Sequence, residues 1–139
     1  MAEDTNFRQH ADNLLAQLVK SGASPNYDHE LVSWIDGFIE RNREHFADKI
    51  DRVANQLATV VGECMIAVYG GSWVFNEKQG EWGIDLGTGL GTAFPASKIT
   101  KHLRNGSEDS VLSFFEVVGV IIQRGGIDNL QSSQNSSEG

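Results

Sequence analysis

Three observations predict an α+β protein. Apolar residues recur at helical spacing from Phe7 to Val60, the pattern switches to period two between residues 72 and 86, and helical patterning returns after Pro95. The expected architecture is a set of N-terminal helices packed with a small antiparallel sheet of three or more strands, followed by a short helix and a buried C-terminal helix. The 139 residues suit one globular domain over 1–126 and a tail over 127–139.

The first helix is read from Phe7, Ala11, Leu14, Leu15, Leu18 and Val19, and ends at Ser21-Gly22 and Ser24-Pro25. Asp28 is placed as the N-cap of a second helix, with Glu30 in its first turn. Its stripe Leu31, Trp34, Ile35, Phe38, Ile39 follows i, i+3, i+4, i+7, i+8. The polar run E-R-N-R-E at 40–44 interrupts, and a third stripe steps through Phe46, Ile50, Val53, Leu57 and Val60 to Gly62. Gly62 is read as a C-terminal glycine cap. Periodicity leaves open whether 28–61 is one helix or two bent near Asn42; ordinary helix length favours two.

C-M-I-A-V-Y at 64–69 is a short apolar run before Gly70-Gly71, so 63–69 is read as a strand. Residues 72–86 read as a β-hairpin turning at E-K-Q-G, with Trp82, Ile84 and Leu86 alternating against Glu81, Gly83 and Asp85. A short helix is expected at 96–104. Ser107 is taken as the N-cap of the last helix, with Glu108 and Asp109 at its positive end. From Val111 to Ile122 that helix is apolar almost all round, which points to a central position or a second chain. The tail I-D-N-L-Q-S-S-Q-N-S-S-E-G is polar and expected to be disordered.

Composition narrows the function. Lys+Arg 11 against Asp+Glu 19 gives a net charge of −8, which disfavours nucleic acid and anionic membranes as partners. The charge serves solubility or steers a basic partner. A single cysteine, Cys64, precludes an internal disulfide framework, and M-A-E-D-T-N-F-R-Q-H has no secretory pattern, so a cytoplasmic location is expected. No apolar stretch is long enough for a membrane span.

Gly87, Gly89 and Gly91 invite a phosphate-loop reading. Thr92 stands where a dinucleotide fingerprint needs its third glycine, no lysine precedes Lys98, and the adjoining strands read as antiparallel. The segment is therefore expected to be a flexible connector from the sheet edge to Pro95. His10, His29, His45 and His102 lack metal-ligand spacing, and the first three fall off the apolar stripes. Cys64 reads as a small core residue, and no G-x-S-x-G elbow occurs. No catalytic residue, metal or cofactor is expected. Glu81 and Asp85 share the hairpin face opposite Trp82 and Ile84 and are expected to face water. Trp73 and Trp82 are expected to share a face, in the core or as interface anchors. The expected contact surface is Trp73, Glu81, Trp82 and Asp85 with Thr88 and Leu90 of the glycine loop.

V-G-E (61–63), Y-G-G-S-W (69–73), G-E-W-G (80–83), F-P (94–95), K-H-L-R-N-G (101–106) and D-S-V-L-S-F-F (109–115) occur in that order. In this punctuation the chain resembles small bacterial α+β proteins, some of them immunity proteins of polymorphic-toxin loci. The resemblance implies a cytoplasmic protein that binds and blocks a cognate toxin, such as a basic, nucleic-acid-cleaving domain, without chemistry of its own. Two other readings stay open: an acidic secretion chaperone or adaptor dimerising through the 111–122 helix, and an enzyme using the Gly87–Gly91 loop with Asp85.

Overall fold

A computed structural model describes residues 6–125; the expected tail, 127–139, lies outside the described residues. The fold is α+β: helices α1 (Phe7–Lys20), α2 (His29–Asn42) and α3 (Ile50–Tyr69), strands β1 (Ser72–Asn76), β2 (Glu81–Asp85) and β3 (Thr92–Ala93), then helices α4 (Pro95–Asn105) and α5 (Val111–Gln123). A single turn of 3-10 helix over Gly106–Asp109 joins the last two. Asp28 caps α2 as its sequence position suggests, its carboxylate accepting the Leu31 amide at 2.9 Å. Residues 28–61 divide into two helices at Asn42.

The largest departure from the sequence reading lies at residues 63–69, which continue α3 and form no strand. Val60 to Met65 are buried without interruption, because α3 is the central helix on which every other helix packs. Residues 60–65 are enclosed all round and need no polar stripe, and with the partly exposed but apolar Ile66, Ala67 and Val68 they read as a continuous apolar run that mimics a buried strand. Gly70 provides the actual stop, with φ of 85° and its amide bonded to the Ile66 carbonyl.

The third strand is β3, from within the segment taken as a connector. The sheet order is β1-β2-β3, antiparallel throughout; Trp73 opposes Ile84, Phe75 opposes Trp82, and Ile84 opposes Ala93. Ile84 and Ala93 carry the sheet into the core beside Ile99, Leu103, Val111 and Phe115. The last helix starts three residues later than expected. Ser110, not Ser107, is its N-cap, accepting the Ser113 amide at 3.1 Å. Asp109 is instead drawn back to α4 by Lys98 (3.1 Å) and Asn105 (2.8 Å).

Candidate functional site

The two strand tryptophans lie on one sheet face, as the register requires, and α1 and α3 fix them there. Gly62 supplies the seat: a Cβ at this helical position would lie 2.3 Å from two atoms of the Trp73 ring. Glu63, 7% exposed, accepts the Trp73 indole N–H at 2.9 Å. Phe7 stacks on the opposite side of the indole at 4.1 Å and meets the Trp82 ring edge-on at 5.1 Å; Phe75 meets Trp82 from the other side at 5.5 Å. The second Glu63 oxygen lies 3.7 Å from Arg8, which bonds Asp12 at 3.0 Å and covers the Tyr27 ring at 4.6 Å. Tyr27 donates to Asp12 at 2.6 Å; that bond and the one from Arg8 hold the Asp12 carboxyl below its ordinary range.

Beside this cluster runs a groove of about 320 Å³, lined by Phe7, Trp73, Trp82, Glu81, Asn55 and Ala96. At Asn55, Glu81 and Ala96 it meets a polar groove of about 410 Å³ that reaches Lys101 and Arg104. Glu81 thus stands where an aromatic trough joins a polar one. It was expected to face water, and the structure corrects this: α4 packs over that end of the strand. Its Oε2 accepts the Ser97 hydroxyl at 2.6 Å, while its Oε1 is buried without any hydrogen-bond partner. A buried carboxylate oxygen lacking a donor is costly, by about 1–3 kcal/mol, and among the described side chains no other buried polar atom stands so.

The structure therefore brings Trp73, Glu81 and Trp82 together, and leaves Asp85, Thr88 and Leu90 at the far end of the strands. Asp85 is exposed as expected, but its carboxylate is engaged with the Gly87 amide at 3.0 Å. The segment 86–91 is the turn of a second hairpin, closed by Leu86 N–H to Gly91 (3.0 Å) and Leu90 N–H to Gly87 (3.0 Å), rather than a loose connector. A carboxylate already occupies the amide nearest the strand, so the loop offers an anion repulsion at the point where a phosphate cradle offers donors.

Sequence reasoning missed His102. It is fully buried, donates from Nε2 to Glu40 at 2.9 Å and accepts the Val111 amide on Nδ1 at 3.2 Å. Asp36 accepts the Leu112 amide (3.0 Å) and the Ser110 hydroxyl (2.6 Å). The three leading amides of α5 are thus satisfied by His102, Asp36 and Ser110, from α4, α2 and the cap itself. Serine, histidine and aspartate meet here without the connectivity of a nucleophilic triad, because Ser110 donates to the carboxylate and not to the imidazole. The signal was available: Ile99, His102 and Leu103 form one i, i+3, i+4 stripe on α4. Cys64 is buried in α3, and burial first, then the Asp28 charge, pushes its thiol up to about 12. Among the described residues no group of side chains is placed to hold a metal ion, and no helix is long and apolar enough to cross a membrane.

Several of the residues that carry the resemblance have packing roles. Gly62 and Glu63 hold Trp73, Tyr69 donates to the Phe115 carbonyl at 2.7 Å, a Cβ on Gly83 would meet the Ala93 carbonyl at 2.7 Å, and Gly106 lies under the Arg43 guanidinium. No protein-family model, curated protein or solved structure matches the chain.

Proposed function

We propose that this protein is a non-catalytic binding module, an immunity-type inhibitor that binds and neutralises a cognate bacterial toxin bearing a basic surface. The supporting observation is Glu81, an acidic side chain that lines both the aromatic and the polar groove where they join. A guanidinium or ammonium group from a partner suits an acidic residue at that junction, and Trp73 and Trp82 line the aromatic groove with a residue type that anchors interfaces. The net charge of −8 adds long-range attraction for a basic partner.

Co-expression with the toxin encoded beside it tests the reading: growth is restored and the two proteins co-purify. Killing that continues unchanged, with no complex, overturns it. At the residue level, Glu81→Gln keeps an acceptor for Ser97 but removes the charge, so it weakens the complex while leaving the fold intact. Thr88→Ala, remote from the groove, leaves binding unchanged.

One observation favours the chaperone reading. Only Val111, Phe115 and Val118 of α5 are buried, and Val117 and Val120 are 55% and 47% exposed, an apolar pair on the outer side of the helix. On that reading Val117→Lys converts a dimer into a monomer and leaves toxin killing unaffected.

A further inference from the structure

The two edges of the sheet differ in a way that bears on self-association. The β3 edge is two residues long and runs directly into Phe94-Pro95 and α4, so little of it can accept another strand. The β1 edge spans five residues, S-W-V-F-N, in unbroken register with β2. It carries no charge, no proline and no bulge, the devices that ordinarily protect an edge. Val74 is 36% and Phe75 46% exposed. Among the described residues no helix, loop or side chain hydrogen-bonds to the outer side of β1. In an antiparallel ladder every second residue of such a strand directs its N–H and C=O outward, unpaired.

We propose that β1 pairs with β1 of a second copy, antiparallel about a two-fold axis through Val74, joining two three-stranded sheets into one of six. The strand is self-complementary in this register. Val74 meets its own copy, Trp73 opposes the partner's Phe75 and Ser72 opposes the partner's Asn76, so polar, aromatic and aliphatic positions each meet a compatible residue. Phe75 already lies on the face of the Phe7–Trp73–Trp82 cluster, and pairing extends that cluster across the axis. An uncharged strand puts no like charges opposite each other, and the rest of the net charge of −8 is screened beyond about 10 Å in 0.1 M salt. The polar groove at Glu81 has no β1 residue in its lining, whereas the aromatic groove shares Trp73 with this edge, so the Glu81 side chain is the part of the toxin-binding reading that can be tested apart from the pairing.

Light scattering on the full chain tests the pairing, with the mass of a dimer expected. Val74→Lys sets two ammonium groups against each other at the axis and is expected to abolish the dimer. Circular dichroism is expected to remain unchanged, because the side chain is already partly exposed. In a Cys64→Ala background, Val74→Cys is expected to give a disulfide-linked dimer under mild oxidation: antiparallel partners lie about 4.5–5.5 Å apart at Cα, within disulfide reach. A wild-type chain that is monomeric at all concentrations overturns the proposal, whether the edge is bare or covered by residues outside 6–125. So does a dimer that survives Val74→Lys, resists the cysteine cross-link and dissociates instead with Val117→Lys. Loss of toxin binding in the Glu81 variant, with the dimer intact, bears on the functional reading alone.

Discussion

Two glycine-bearing regions serve opposite purposes. At residues 87–91 the glycines adopt φ of 114°, 79° and 88°, and a Cβ on Gly89 or Gly91 would meet nothing within 4 Å. They are there for conformation, since side chains other than glycine resist the left-handed region. Gly62 is an ordinary helical residue without a positive φ, yet a Cβ would run into the Trp73 ring. It is there for space. The loop is conspicuous in sequence and structurally tolerant; the helix glycine passes for a cap and holds the sheet to the core.

Substitutions can break or sharpen that contrast. The largest effect is expected from Gly62→Val. The indole is tied to Glu63 by its N–H and stacked on Phe7, so moving it aside breaks both contacts and overpacking costs about 3 kcal/mol in urea denaturation. Combining it with Trp73→Leu should recover part of the loss, and strict additivity of the two changes would show that they do not share a seat. Glu63→Ala comes next, at about 1–2 kcal/mol, because it leaves the partly buried Trp73 N–H without its acceptor. Glu63→Gln is expected to cost less, since one amide oxygen can still accept that proton. In the loop, Gly89→Ala is expected to cost about 1 kcal/mol, the penalty of a left-handed alanine alone.

The smallest effect is expected from Thr88→Cys, below about 0.5 kcal/mol for an exposed turn residue. It also gives a direct readout of the contrast. The introduced thiol should react with a thiol reagent at neutral pH at the rate of a free peptide, while Cys64 reacts only on unfolding. The sign follows from the raised Cys64 pKa. Below about pH 9 the thiol is protonated in both states and contributes no pH dependence. From there to about pH 12 only the unfolded thiol ionises, so stability falls as pH rises. Prompt modification of native Cys64 at neutral pH would contradict its placement inside α3.

Local signals were legible wherever a residue acts on its own neighbours. The Asp28 cap, the break at Asn42, the 72–86 hairpin and Pro95 at the start of α4 all depend on chemistry within a few positions of the chain. Trp73 and Trp82 were legible as face-sharing residues, since a hairpin register sets that directly. Glu81 was misread because strand alternation reports which face a side chain takes and not what later packs there; α4 does, through Ser97. His102 was passed over although its helical stripe announced burial, because its partners, Glu40 and Val111, lie on other elements.

The sequence by itself determined the fold class, the order of most elements and the acidic balance, because periodicity, caps and composition are properties of short windows or simple sums. Only the tertiary structure decided that residues 63–69 remain helical, that the glycine loop turns into β3, that Trp73, Glu81 and Trp82 share a groove, and that no described residue pairs with the outer edge of β1. Each depends on what packs against a residue from a distant part of the chain. A buried helix and a buried strand carry the same apolar run, and only their neighbours distinguish them.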